Sequence, residues 1–244
     1  MPLPSLYIIT GGSRGLGAAL VRLAADDGET VISVSRTAPP LGEHLPCDLA
    51  DPEAAATAVN SMLRERAGDG FDAYVLINNA GTIQPIGTSY GAADVVHSLS
   101  VNLAAHIAIT HVFVEALSAI TSRKLVVNIS SGAAVKPYHG WILYCAAKAG
   151  LEHFGRVLAL EQSSAEAPVD VVNVNPGIID TGMQAEIRAT TRECFPQLDR
   201  FTAFHANGDL APANDVASKL IAGIRSGRTY NGRTVGLEEL SNVV

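Results

Sequence analysis

Along the chain, short β-branched apolar runs alternate with longer stretches in which apolar residues recur at helical spacing. Runs at Tyr7–Thr10, Thr30–Ser35, Tyr74–Asn78, Leu125–Ser130 and Val169–Val174, with a last one near Thr234–Leu237, read as strands, and a short third strand precedes Cys47. Several are almost continuously apolar, the pattern of strands covered on both faces of a parallel sheet. Between them, Leu16, Ala19, Leu20, Leu23 and Ala24 form the stripe of an amphipathic helix. Asp51-Pro52 predicts an N-cap followed by proline at the first helical position, opening a helix with Ala55, Ala58, Val59, Met62 and Leu63 inward. Ala147, Leu151, Phe154 and Leu158 repeat the pattern. Asp215 is placed to cap a late helix that carries Val216, Leu220 and Ile224 and closes at Gly227.

This alternation predicts an α/β fold of the Rossmann-like, doubly wound kind. Its sheet is mostly parallel and seven-stranded, with helices on both faces, in one domain over residues 1–244. The stretch 180–212 mixes polarity with two prolines and several aromatic residues. A segment this long beside a compact sheet predicts a substrate lid.

Composition narrows the partners. With 48% hydrophobic and 17% charged residues, disorder is excluded. A formal charge of −7, with no Lys/Arg block, argues against nucleic acid or an anionic membrane as the main partner. The start of the chain lacks the basic flank and apolar run of a signal peptide, and no apolar stretch is read as approaching the roughly 20 residues of a membrane span. Cys47, Cys145 and Cys194 are odd in number and widely spaced, so reduced thiols and a cytoplasmic location are expected. The histidines lack ligand spacing, and no metal site is expected.

Two regions carry candidate chemistry. The first strand runs into Thr10-Gly11-Gly12-Ser13-Arg14-Gly15-Leu16-Gly17, and a helix follows. Glycines there let the backbone turn tightly and approach a pyrophosphate seated on the helix N-terminus. At the end of the second strand, where an NAD site usually carries an acid, stand Ser35 and Arg36. With Arg14 they suit a 2′-phosphate, so NADP(H) is the expected cofactor. Asp48, beside Leu49, is placed to hold an adenine amine. Asn78-Asn79-Ala80-Gly81 closes the fourth strand and admits a ligand closely, although either segment also suits an ordinary turn.

Tyr144 is the one tyrosine of six with a lysine four residues on, Lys148, which on a helix puts phenol and ammonium on one face. Ser131 ends the apolar strand before it, at the sheet edge that faces the ligand crevice. Reducing a ketone takes a hydride at carbon and a proton at oxygen. A neighbouring Lys⁺ is expected to lower the phenol's pKa, and the Ser131 hydroxyl to polarise the carbonyl. Asn102, a polar amide inside the apolar segment Val95–Phe113, is expected to hold a water linking Lys148 to solvent.

These motifs, with Pro176-Gly177-Ile178-Ile179-Asp180-Thr181, resemble the short-chain dehydrogenase/reductase family over essentially the whole chain. The resemblance implies an Asn102–Ser131–Tyr144–Lys148 tetrad, Lys148 on the nicotinamide ribose, Ile179 and Thr181 near the nicotinamide, and a homodimer or homotetramer. Within the family, Gly140 to Lys148 and Asp180 to Gln184 are similar to sepiapterin reductases, and Asn175 to Asp180 leans toward benzil reductases. Where sepiapterin reductases hold their pterin with an aspartate, Gly236 stands here, which favours a dicarbonyl. Trp141, Gly177 and Met183, with Phe195, Phe201 and Phe204, are candidate substrate contacts, equally readable as lid packing. The implied reaction is NADPH-dependent reduction of a small-molecule ketone or 1,2-dicarbonyl. A pterin side-chain ketone, a 3-oxoacyl or sterol substrate, and a non-catalytic NADP(H) sensor stand as alternatives.

Overall fold

The computed structural model describes residues 3–66, 68–228 and 230–241; the expected domain span of 1–244 reaches beyond these at both ends. Seven strands form one parallel sheet: β1 (Leu6–Thr10), β2 (Thr30–Ser35), β3 (Glu43–Pro46), β4 (Ala73–Asn78), β5 (Arg123–Ile129), β6 (Asp170–Asn175) and β9 (Thr234–Gly236). Their order is β3-β2-β1-β4-β5-β6-β9. Each expected strand is present, with ends moved by a residue or two.

Helices cover both faces. On one side α1 (Gly15–Asp26) and α8 (Ala213–Arg225) bury Leu16, Leu20, Val216 and Leu220 against Ile9, Ile77 and Val127. On the other, α2 (Pro52–Arg66), α4 (Ala105–Ala116) and α5 (Ile142–Gln162) bury Val59, Leu63, Ile109, Phe113 and Leu158 against Ile8, Leu76 and Val126. The alternation of inward side chains along β1 and β4 thus feeds two cores from the same strands.

Asp51 caps α2 as expected, its Oδ1 accepting the Ala54 N–H at 3.0 Å. Asp215 does not cap α8. That helix begins two residues earlier, with Pro212 as its N-cap, because Ala211–Pro212 (β8) pairs with Ile179–Asp180 (β7) and delivers the chain directly into the helix.

Helix α3 (Ala92–Leu99) continues through a π turn, Ser100–Ala104, into α4. The run of 25 residues reaches a mean hydropathy of 1.4 over an 18-residue window and is long and apolar enough by itself to cross a membrane. The expectation that no stretch approaches that length is therefore corrected. In the fold the run carries buried Asn102 and His106 and packs against α2 and α5.

Residues 180–212 are ordered as α6 (Gly182–Arg188) and α7 (Leu198–Ala206). The β7–β8 ladder, Ile179 on Ala211 and Asp180 on Pro212, ties the two feet of this excursion together. Its inner side forms a third cluster, in which Trp141, Tyr144, Ile187, Phe195 and Phe201 pack with Met183 and Phe204.

Candidate active site

In a parallel sheet all the strand C-termini lie at one edge, so Thr10, Asn78, Ile129 and Asn175 bring their following loops together there. The glycine turn is built for close approach. Gly11 and Gly15 have φ of +71° and +56°, a region that favours residues without a Cβ. A Cβ on Gly17 would sit 2.1 Å from the Gly11 carbonyl oxygen, so the helix start and the turn touch backbone to backbone. Helix α1 has no side-chain N-cap, which leaves its first N–H groups free at the turn. A glycine cradle with uncapped, positively polarised donors fits a pyrophosphate.

The turn is held from beneath by Thr10 and Asn79, a role the sequence reading did not give to Thr10. Thr10 Oγ1 accepts the backbone N–H groups of Asn79 and Ala80 at 2.9 and 3.0 Å, and Asn79 Nδ2 donates to the Thr10 carbonyl at 2.9 Å. Gly81 must be small as well, because a Cβ there would lie 3.1 Å from Asn102 Oδ1.

At the end of β2, Arg36 is exposed and Ser35 is not. The Ser35 hydroxyl donates to the Thr37 carbonyl at 2.8 Å and lies 2.9 Å from Ser33 Oγ. Its proton is taken up inside the fold, and Arg36 and Arg14 are the groups that face outward. Arg14 reaches Glu186 of α6 at 3.9 Å, and Thr181 lies 3.4 Å from where a Gly15 Cβ would be. The lid therefore begins against the glycine turn. Ser13 is half-buried in that turn, and Leu16 is buried behind it. Asp48 is exposed and turns one carboxylate oxygen onto the Ala50 N–H at 3.0 Å, above buried Leu49. Pro176 is buried, and Gly177, with φ of +78°, opens to free space.

Tyr144 and Lys148 occupy one face of α5, as the i, i+4 spacing requires. The Tyr144 hydroxyl lies on the Ser131 side, where Ser131 pulls its pKa down, and the extended backbone of Ser131 places its Oγ to accept the Ala133 N–H at 3.1 Å. Lys148 is buried, donates to the Ile129 carbonyl at 2.7 Å, and lies 5.7 Å from the centre of the Tyr144 ring. The electrostatics differ from the sequence reading. Burial pushes Tyr144 up to about 12, opposed by neighbouring Ser131, and burial brings Lys148 down to about 8. Desolvation by burial outweighs the opposing effect of Ser131 on the phenol.

Asn102 is wholly buried in the π turn. Its amide is taken up by the chain: Oδ1 accepts the Thr82 N–H, and Nδ2 donates to the Thr82 carbonyl, both at 2.9 Å, and to Ser98 Oγ at 3.3 Å. It clamps the loop beyond Asn78–Gly81. The π turn, of a kind frequent at functional sites, is what presents it.

One turn further along, His106 is wholly buried with neither ring nitrogen paired, and burial pushes it down to about 3. Nothing in the sequence pattern marked it, since an isolated histidine in an apolar helix has no distinguishing spacing. Among the described residues, no group of three His, Cys, Asp or Glu side chains is placed to hold a metal ion.

A dinucleotide cradle at the end of β1, and Ser131 just beyond β5 facing the buried Tyr144 and Lys148 of α5, together define a nicotinamide-cofactor oxidoreductase. The short chain dehydrogenase model matches residues 5–192, and the chain belongs to that family. It is 36% identical over 241 residues to the benzil reductase ((S)-benzoin forming) of Bacillus subtilis, covering 96% of this chain and 98% of that protein. It is 31% identical to the sepiapterin reductase of Xenopus laevis, over 80% of each. The solved structure of the KRED1-Pglu enzyme superposes with a TM-score of 0.81 at 26% identity, over 95% of this chain and all of that one.

Proposed function

We propose that this protein is an NADPH-dependent carbonyl reductase that converts a ketone or benzil-like 1,2-dicarbonyl to the hydroxy-ketone or alcohol, with Tyr144 as proton donor. The observation that carries the reading is the Tyr144 hydroxyl, set beside Ser131 against a packed cluster of aromatic side chains and one helical turn from Lys148. Bound at the glycine cradle, the cofactor supplies the hydride to the carbonyl carbon.

The chain's own residues do the rest. Tyr144 and Ser131 take the carbonyl oxygen between them, and Ser131 stabilises charge developing on it. The Tyr144 proton passes to that oxygen as the C–O π bond opens. With its pKa pushed up to about 12, the phenol holds its proton at neutral pH, which is the state that reduction consumes. Lys148, anchored on the Ile129 carbonyl, is positioned to hold the nicotinamide ribose, and Asn102 keeps the Thr82 loop in place beneath. Ile179 and Thr181 stand at the nicotinamide end of the lid. Arg36 and Arg14 support NADPH over NADH.

A dicarbonyl suits this pocket better than a pterin. Gly236 in β9 has no atom within 4 Å of where a side chain would begin, and so offers no acid to a pterin's amino edge. The benzil reductase likeness across nearly the full length supports the same choice. We also place the protein in the cytoplasm, on its reduced, part-buried cysteines. A homodimer or homotetramer is supported by exposed Val96 and Leu160 on helix faces.

The test is NADPH consumption with benzil, other 1,2-diketones, sepiapterin and an acetoacetyl thioester. Tyr144→Phe should cost about 10²–10⁴-fold in kcat, the range for a positioned proton donor, while NADPH binding persists. Substantial turnover by the variant, or native activity confined to the thioester, would refute the proposal.

A further inference from the structure

We infer that Trp141 is a second hydrogen-bond donor of this pocket, whose indole N–H recognises the carbonyl oxygen of a 1,2-dicarbonyl that is not being reduced. The inference rests on the proposed reduction and adds to it a basis for substrate choice.

Trp141 Nε1 is buried and has no hydrogen-bond partner. A buried N–H left unpaired is costly, and native structures leave few of them. The ring is not loosely placed. Phe195 stacks on it at 4.6 Å and 6°, and Tyr138 lies over it at 4.8 Å and 31°. Phe201 meets it at 5.2 Å and 72°, so the ring is fixed by three aromatic neighbours, and its N–H is the one polar group it carries.

Trp141 also lies immediately before α5, one turn from Tyr144, with the two rings 6.1 Å apart and at 82°. A group held at Tyr144 therefore lies beside the Trp141 ring. The chemistry selects the ligand. Indole N–H only donates, so it pairs with an acceptor such as a ketone oxygen. In a vicinal dicarbonyl, the second oxygen sits one carbon from the reacting centre. A simple ketone has nothing to place there, and the donor stays unpaired.

Trp141 is the sole tryptophan of the chain, so it can be replaced throughout a preparation by β-(3-benzothienyl)alanine in a tryptophan auxotroph. That residue keeps the ring shape and puts sulfur where the N–H was. Native and replaced proteins would be compared on benzil and on deoxybenzoin, which exchanges one carbonyl for CH₂. Loss of the N–H should lower kcat/KM for benzil about 5- to 10-fold, the size of one neutral hydrogen bond, and change deoxybenzoin less than about 2-fold.

If native protein uses deoxybenzoin poorly, its preference for benzil should shrink by the same factor. Equal losses on both ketones would mean that Trp141 only packs the lid, and no loss on benzil would mean that its N–H touches nothing; either overturns the inference alone. Should native protein reduce none of the ketones and diketones offered, the proposed function fails and this inference with it. Trp141→Phe, melted alongside, gives the same discrimination without the isostere.

Discussion

Three buried titratable groups, Tyr144, Lys148 and His106, show why residue identity alone did not give the electrostatics. The sequence identified the phenol and its lysine through their spacing, yet the direction of the phenol's shift depends on how much water the lid removes. Tyr144 is only 8% exposed, under side chains from residues far along the chain. His106 carries a prediction of its own. Its pKa of about 3 in the fold lies below the ordinary value of 6.5, so between these limits the unfolded chain binds the proton and the native state does not. Stability should fall on acidification from 6.5 toward 3, by up to about 1.4 kcal/mol per pH unit from this group. His106→Leu removes two unpaired polar atoms as well as the titration. It should leave stability at pH 7 unchanged or higher, and flatten the acid limb in urea titrations followed from pH 7 to pH 4. A limb as steep as the native one would show that His106 is solvated or paired.

Among the elements, β1, β2, β4, β5 and β6 were legible because continuous apolar runs have few other uses. The sequence also led to the nucleotide turn and to the set Ser131, Tyr144 and Lys148. The β7–β8 ladder was not legible, since two-residue strands have no periodicity, and neither was the π turn, which the apolar pattern passes through unbroken. Least expected is a row of amides across the sheet. Asn78, Asn128 and Asn173 occupy matching positions on β4, β5 and β6, all fully buried, although Asn is a poor strand former. Asn78 Nδ2 donates to Asn128 Oδ1, Asn128 Nδ2 to Asn173 Oδ1, both at 2.9 Å, and Asn173 Nδ2 to the Glu152 carbonyl of α5 at 3.2 Å. The row thereby fixes the helix that carries Tyr144. Gly155 lets α5 come this close: a Cβ there would lie 2.5 Å from Asn173 Oδ1 and 2.8 Å from Asn128 Nδ2. Helix propensity alone would have Gly155→Ala stabilise by about 1 kcal/mol. We expect instead a destabilisation of about 1–3 kcal/mol, with kcat reduced as α5 shifts, measured by denaturant midpoint and steady-state rate. A more stable Gly155→Ala protein would mean the row yields easily and does not set the position of α5.

At the scale of the whole molecule, a chain of charge −7 is proposed to bind a polyanionic cofactor, so local charge has to overcome the global field. Arg14 and Arg36 supply it at the mouth of the glycine cradle, and Arg14 is free to do so because its contact with Glu186, at 3.9 Å and largely exposed, is weak. Cofactor binding then becomes a stability measurement of the entire fold. A ligand at 100 times its Kd raises the unfolding free energy by about 2.7 kcal/mol, which for a chain of this size moves Tm by about 5–10 °C. NADPH should produce that shift at concentrations where NADH produces little. Arg36→Asp sets a carboxylate against the 2′-phosphate, and should bring the NADPH shift down to the NADH level while leaving the NADH shift as it was. Thermal melts of the two proteins with each cofactor decide it without any knowledge of the substrate. Equal shifts by both cofactors in the native protein would remove the 2′-phosphate from the account of Arg36. Equal losses in the variant would make Arg36 a contact to a part of the cofactor that NADH and NADPH share.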